Sequence, residues 1–356
     1  MIDELEIQGF RCFHALTANP LGRVNLLVGK NNAGKSAFLD AVELLVSDGT
    51  PPVFRSLVRR SEYSRKTYEE VSGKLFTQFE LYPANLFHGR QLLPDTEYFV
   101  RSRHQGVFVR YVEKSHEISG GLAGMKVRFR EKTQLVARCL PADTNTEWDL
   151  GLDRSYSVRA NSLEPSRAES KTPAYFLPTA RADIQLLSRL WDDVQLTDEE
   201  ALIPQILQFI EPQVEKVGRR GDGENLHFVV RFKGDKEPRR LGSLGDGMRH
   251  LLAIALHLVP ARNGYLFIDE IDTGLHHSVM AQMWRMLIES ARRLNVQIFA
   301  TTHSMDCIYA LAAVHQQMNL TKEDLMLHRL VAGMDKTIPY TPDDLAAVAE
   351  FQGEVR

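Results

Sequence analysis

Cysteine is scarce in this chain. Only Cys12, Cys139 and Cys307 occur in 356 residues, far apart and without a C-x-x-C pair. That spacing argues against a disulfide framework and against a structural zinc site. Long apolar runs are missing too, so no segment reads as a membrane span. Met1-Ile2-Asp3-Glu4 lacks the basic and apolar stretches of a signal peptide. A cytoplasmic protein with no membrane partner is the expectation. Neither sign of charge dominates: 43 Lys and Arg stand against 46 Asp and Glu, a net charge of -3 with a pI near 6.5. No global field draws nucleic acid to such a chain, and any such contact must use a local patch. Internal repeats, low-complexity tracts and long heptad runs are also missing, which argues against a coiled-coil arm. The 356 residues, 44% of them hydrophobic, suffice for one large domain or two modest ones with a substantial core.

The strongest local signal is Gly29-Lys30-Asn31-Asn32-Ala33-Gly34-Lys35-Ser36, which fits G-x-x-x-x-G-K-[ST] without a mismatch. Before it, Val24 to Val28 is an apolar run that reads as a buried strand. After it, Ala37, Phe38, Ala41, Val42, Leu44 and Leu45 fall at helical spacing. A plain Gly-rich turn before a core helix would share these letters. Strand, glycine loop and helix in this order point instead to a phosphate cradle, with Gly29, Asn31, Asn32, Ala33, Gly34, Lys35, Ser36 and Ala37 as its contacts. Glycines let backbone N–H groups turn inward, and the helix start adds its dipole. Lys35 can reach the β- and γ-phosphates, and Ser36 can hold Mg²⁺.

Along the chain, Leu5 to Phe10 alternates like a strand, and Asp48-Gly49-Thr50-Pro51-Pro52 reads as a break. Between about Val71 and Val158 the period is two, at Leu75–Leu81, Tyr98–Arg101, Val107–Val112 and Met125–Phe129, with turns at Gly120-Gly121 and Asp143 to Asn145. That predicts an antiparallel sheet with one wet face. Asn161 to Pro173 reads as an exposed loop and Ala174 to Pro178 as a short strand. Ala182 to Val217 reads as largely helical, broken near Pro204 and Pro212, and Leu226 to Arg240 as a hairpin. A loop at Leu241 to Asp246 opens a helix through His257. Strands at Tyr265 to Ile268 and Val296 to Thr301 flank a helix from about Ser278 to Leu294. Leu325 to Val331 reads as a strand, and Pro342 to about Phe351 as a last helix.

The apolar strand at Tyr265 ends in Asp269-Glu270. It would deliver Asp269 to the sheet edge beside the phosphate loop, to hold Mg²⁺. Glu270 would polarise the attacking water. The strand at Val296 ends near His303, which could bond the γ-phosphate or hold that water, since ligands bind this edge of a parallel sheet. Gly242 to Arg249 is a second Gly-rich loop entering a helix. Its free N–H groups, hydroxyl and helix dipole have the makings of an anion site, or Ser243 is a simple cap.

In this order and spacing the motifs resemble ABC-type ATPases, in the non-transporter branch that includes SMC, RecF and OLD proteins. Leu5 to Phe13 looks like that branch's first strand. Gly29 to Ser36 looks like its Walker A loop, and Ser243 to Met248 like its signature. Phe267 to Ser278 looks like Walker B running into the D-loop, and Thr301 to Ser304 like the switch-histidine segment. Leu244 replaces a transporter glycine and His276 a D-loop aspartate, which suits the OLD-like branch. Gln78 is a candidate for the Q-loop residue, or a surface strand residue. The resemblance implies an α/β fold: a P-loop NTPase head with a parallel core sheet, an antiparallel β subdomain and a helical insertion. Residues 1–50 and 241–356 would form the ATPase domain, 51–180 a β-rich insertion, and 181–240 a helical and hairpin insertion. It also implies ATP and Mg²⁺ as cofactors and a homodimer closed around ATP, or a larger assembly, with Ser243 and Gly245 acting in trans. After His303 only a strand, a hairpin and a helix are expected, too little for the Toprim nuclease domain of OLD proteins. A stand-alone ATPase controlling a separately encoded effector in antiphage defence is implied, without nuclease activity of its own. A RecF-like role on DNA is the rival reading. The basic clusters at Arg55 to Lys66, Arg101 to Arg110 and Lys233 to Arg240 leave nucleic acid open as a partner. A transporter subunit is disfavoured by the first strand and the large middle region.

Overall fold

The computed structural model describes residues 1–60, 65–71, 74–81, 83–93, 95–118, 127–140, 147–149, 156–159, 172–179 and 183–350. The chain opens with β1 (Leu5–Phe10), β2 (Phe13–Ala18), β3 (Val24–Val28), helix α1 (Lys35–Val46) and helix α2 (Pro51–Arg60). The middle holds β4 (Arg65–Val71), β5 (Lys74–Leu81), β6 (Glu97–Arg101), β7 (Gly106–Ile118), β8 (Val127–Leu140), β9 (Glu147–Asp149), β10 (Tyr156–Arg159) and β11 (Ala174–Leu177). Helices α3 (Ile184–Val194) and α4 (Leu202–Gln208) precede β12 (Val214–Arg220), β13 (His227–Phe232) and β14 (Arg239–Arg240). The last third runs α5 (Asp246–Leu258), β15 (Tyr265–Ile268), α6 (His277–Leu294), β16 (Gln297–Thr301), α7 (Met305–Met318), β17 (Leu325–Arg329), β18 (Ile338–Tyr340) and α8 (Pro342–Glu350).

The central sheet has the order β11-β15-β16-β3-β17-β18 and is parallel except for β18. Its inner strands β15, β16 and β3 are fully buried and mostly apolar because both faces are covered. Alternate residues serve different cores. Val24, Leu26, Val28, Leu266, Ile268, Ile298 and Ala300 face the cluster built with α5, α6 and α7. Leu27, Phe267 and Phe299 face the cluster built with α1.

A second sheet, β2-β1-β6-β7-β8-β9, is antiparallel and packs on the other side of α1. Strands from both sides of the 50/51 boundary thus share one sheet. Tyr98, Val100, Val107 and Val109 point at α1, while Glu97 and Arg101 are exposed. Every residue of α1 except Ser36 is therefore buried, two acids included. Asp40 is ion-paired with Arg11 and Arg60, and Glu43 with Arg60. The Arg60 guanidinium also lies 3.7 Å above the Phe176 ring.

The structure corrects the sequence reading in four places. β5, read into one sheet with β6 to β8, pairs instead with β4 and β10. The break at Asp48 to Pro52 is the doorway to a helix, α2, because proline is tolerated in a first turn. Residues 214–217, read as helix, open the strand β12. More than a strand, a hairpin and a helix follow His303: α7 intervenes, capped by Ser304, whose Oγ accepts from Cys307 N at 3.2 Å. The turns at Gly120-Gly121 and Asp143 to Asn145, and most of the loop before Pro173, lie outside the described residues. So does the Gln78 side chain. Leu187, Leu190, Trp191 and Val194 of α3 are buried in the core. Arg101, Arg103 and Arg110 are ion-paired with Glu6, with Asp3 and Glu4, and with Asp95. Among the described residues no helix is long and apolar enough to cross a membrane.

Candidate functional site

Three neighbouring parallel strands, β15, β16 and β3, end at one edge of the central sheet. Ile268 pairs with Ala300, and Thr301 with Leu27, so the loops that follow lie side by side. The loop after β3 turns back through Gly34, at φ 99 and ψ 15, straight into α1. A Cβ there would lie 2.6 Å from the Phe13 ring and 2.8 Å from Cys12 Sγ, so glycine is required by packing as well as by backbone angle. Ala33 and Ala37 are buried, whereas Asn31 and Asn32 are exposed at the loop's tip.

Lys35 leaves the first turn of α1 and lies across its own loop. Its Nζ donates to Gly29 O at 2.8 Å and Lys30 O at 3.1 Å, and reaches His303 Nδ1 at 3.3 Å. An ammonium group can only donate, so Nδ1 accepts and the ring proton sits on Nε2. That nitrogen faces Glu270 Oε1 at 3.7 Å. Burial pulls the Lys35 pKa below its usual value, while the charges of Asp269 and Glu270 pull it back up.

Ser36 Oγ donates to Asp269, 3.0 Å from Oδ2 and 3.3 Å from Oδ1. The acidic loop is stitched to the strands beside it. Asp269 N donates to Leu177 O, Glu270 N to Thr301 Oγ1 and Ile271 N to Thr301 O. Glu270 takes a left-handed backbone, φ 52. Lys35, Ser36, Asp269, Glu270 and His303, named from sequence, are thus brought together. Ser243 and Gly245 are not part of this group. Ser243 Oγ donates to Arg240 O at 2.7 Å, and both residues are exposed at the start of α5. His276 caps α6, its Nδ1 accepting from Ser278 N.

Sequence reasoning missed the groups that hold these loops. Thr301 Oγ1 donates to Asp269 Oδ1 at 2.6 Å. Thr302 Oγ1 donates to Asp272 at 2.5 Å, and His250 Nε2 donates to Ile271 O at 3.0 Å. The two threonines were visible beside His303, but hydroxyls at a strand end carry no pattern that foretells their partners.

The groups this architecture implies, a nucleoside triphosphate and Mg²⁺, fit the residues present. The positive-φ turn at Gly34 leads straight into the start of α1, whose free N–H groups suit phosphate. A hydroxyl and a carboxylate 3.0 Å apart are hard oxygen donors of the kind Mg²⁺ takes.

Fold and site together define a P-loop nucleotide-binding protein. Comparison with known proteins agrees. Residues 1–97 match the family described as "AAA ATPase domain", and residues 151–306 the family described as "AAA domain, putative AbiEii toxin, Type IV TA system". Both matches are to AAA-type domains, and they lie on either side of residues 98–150. An ATP/GTP phosphatase of Helicobacter pylori is 22% identical over 341 residues, covering 91% of this chain and 90% of that protein. The DNA replication and repair protein RecF of Stutzerimonas stutzeri is 35% identical over 80 residues, 22% of this chain and 20% of that protein. Among solved structures, an Smc head bound to the C-winged helix domain of ScpA covers 96% of this chain and 97% of its own, at 13% identity and TM-score 0.49. The SMC head domain from Thermotoga maritima covers 95% and 98%, at 14% identity and TM-score 0.44.

Proposed function

We propose that this protein binds and hydrolyses Mg²⁺-ATP at the edge of its parallel sheet and works as a dimeric switch on a separate effector. One observation carries the reading: Lys35, Ser36, Asp269, Glu270 and His303 converge from three strand ends. Bound Mg²⁺-ATP supplies the phosphoanhydride bond to be broken. Backbone N–H groups from Gly29 to Ala37, with the side chains of Asn31 and Asn32, would surround the phosphates. Lys35 would give up the loop carbonyls for phosphate oxygens. Ser36 and Asp269 would hold the metal. Glu270 would take a proton from the attacking water, and His303 would donate Nε2–H towards the γ-phosphate or that water.

Ser243 and Gly245 lie outside the cluster and are exposed, which suits contact with the nucleotide of a second copy. Closing two copies around ATP would tie dimerisation to the γ-phosphate. A role in defence, through a separately encoded effector, is supported by the toxin–antitoxin description of the matching family. The reading includes no nuclease activity. Lys35→Ala should abolish ATP hydrolysis. Glu270→Gln should accumulate an ATP-bound dimer, visible by light scattering. A Glu270→Gln protein that stays monomeric at saturating Mg²⁺-ATP would refute the switch.

A second reading, DNA maintenance, draws on the β12-β13-β14 sheet. Cross-strand pairing puts Lys216, Arg220, Arg231 and Arg240 on one face. Arg231 is paired with Glu215, while Lys216, Arg220 and Arg240 are exposed and make no ion pair among the described residues. ATP-stimulated, salt-sensitive DNA binding would favour this reading. No binding at low salt would remove it.

A further inference from the structure

Thr301 ends β16 and is fully buried. Its hydroxyl lies 2.8 Å from Glu270 N and 2.6 Å from Asp269 Oδ1. The amide can only donate and the ionised carboxylate can only accept, so the hydroxyl proton must point at Asp269. We propose that Thr301 is the positioning residue for both acids, its hydroxyl aiming Asp269 at Ser36 and holding Glu270 beside His303. This rests on the nucleotide-site reading above and assigns a residue to it.

Two features of the geometry carry the inference. Oδ1 of Asp269 is committed to Thr301, which leaves Oδ2 as the oxygen nearer Ser36 Oγ, at 3.0 against 3.3 Å. The carboxylate therefore offers one chosen oxygen to the metal side. Glu270 has a left-handed backbone without being glycine, φ 52, and such a conformation persists only when its surroundings hold it. Thr301 is what holds it. The hydroxyl accepts Glu270 N–H, and the carbonyl of the same residue accepts Ile271 N–H at 2.9 Å. The turn so fixed brings the Glu270 carboxylate to His303 Nε2. Valine would fill the same space in a buried strand, so the hydroxyl is the part with a task. Groups that orient metal ligands from behind change metal affinity or activity by about 10- to 100-fold when removed.

The test uses Thr301→Val, which keeps the branched shape and removes the hydroxyl, and Thr301→Ser, which keeps the hydroxyl. Crystal structures without nucleotide read the geometry directly. In Thr301→Val, Asp269 Oδ2 should move from Ser36 by more than about 0.5 Å, and Glu270 should leave its left-handed conformation. Thr301→Ser should preserve both. Mg²⁺ titration of ATP hydrolysis at saturating ATP reads the consequence. The half-saturating Mg²⁺ concentration should rise about 10- to 100-fold in Thr301→Val and stay near wild type in Thr301→Ser. Acids unmoved in Thr301→Val, an unchanged Mg²⁺ dependence, or a serine variant that behaves like the valine one would each overturn the proposal. If the wild type shows no hydrolysis that Lys35→Ala removes, the nucleotide reading itself fails. The crystal comparison then decides alone whether Thr301 directs the acids.

Discussion

Replacing Gly34 by alanine separates two demands on the phosphate loop. Gly34 sits at φ 99 and ψ 15, so any residue with a Cβ meets backbone strain of about 1–2 kcal/mol. The added methyl would also lie 2.6 and 2.7 Å from two Phe13 ring carbons and 2.8 Å from Cys12 Sγ. Phe13 is only 6% exposed and belongs to the core between the sheets, so the ring cannot swing into solvent. Forcing it aside costs about 1–3 kcal/mol. The sum for Gly34→Ala is about 2–5 kcal/mol. Gly234 is the control: it has φ 84, but a Cβ there would meet nothing within 4 Å. Gly234→Ala should show the strain alone, about 1–2 kcal/mol. Urea unfolding of wild type and both variants measures the difference. Adding Phe13→Leu to Gly34→Ala should make room for the methyl. The double variant should then be more stable than the two single losses add up to, by about 1 kcal/mol. If Gly34→Ala costs no more than Gly234→Ala, or if the double variant is additive, packing against Phe13 does not shape this loop.

Two further outcomes follow from buried charge. Arg60→Met removes the partner of Glu43 and one of the two partners of Asp40, whose side chains are 10% and 4% exposed. A loss of about 3–5 kcal/mol is expected in thermal or urea melts, and adding Glu43→Gln should recover much of it. His328 donates Nε2–H to Pro20 O and accepts from Thr337 Oγ1 at Nδ1, both at 3.0 Å. Burial pushes its pKa down from 6.5 to about 4. Its contribution to stability is complete above pH 6.5 and is lost as pH falls towards 4, because the unfolded chain takes up a proton that the folded one refuses. The loss grows to roughly 3 kcal/mol. His328→Gln should flatten that part of the stability profile. An unchanged gap between wild type and variant from pH 7 to pH 4.5 would refute the assignment.

What could be read from sequence was what repeats a pattern. β3, β15 and β16 are buried on both faces, so their runs are mainly apolar, with Asn25, Gln297 and Thr301 as the polar exceptions. The glycine loop between β3 and α1 fits its template at every fixed position. Asp269, Glu270 and His303 were found because each follows such a run. β12 was mistaken because Val214 and Val217 are three apart, as on a helix. The register shift between Val214 and Lys216 breaks the alternation that would have marked the strand. Helix α7 is hard to read because its capping Ser304 directly follows His303, so the cap and a candidate ligand share one short segment. α2 was hidden behind two prolines that a first turn accommodates. The roles of Thr301 and His250 depend on contacts between distant segments, which no local window contains.

The most direct test of the nucleotide site is a crystal structure with Mg²⁺ and a non-hydrolysable ATP analogue. The account predicts Lys35 Nζ within hydrogen-bond reach of the β- and γ-phosphates, Mg²⁺ on Ser36 Oγ beside Asp269, and His303 facing the γ-phosphate. An analogue bound away from Lys35, Ser36 and Asp269 would contradict it.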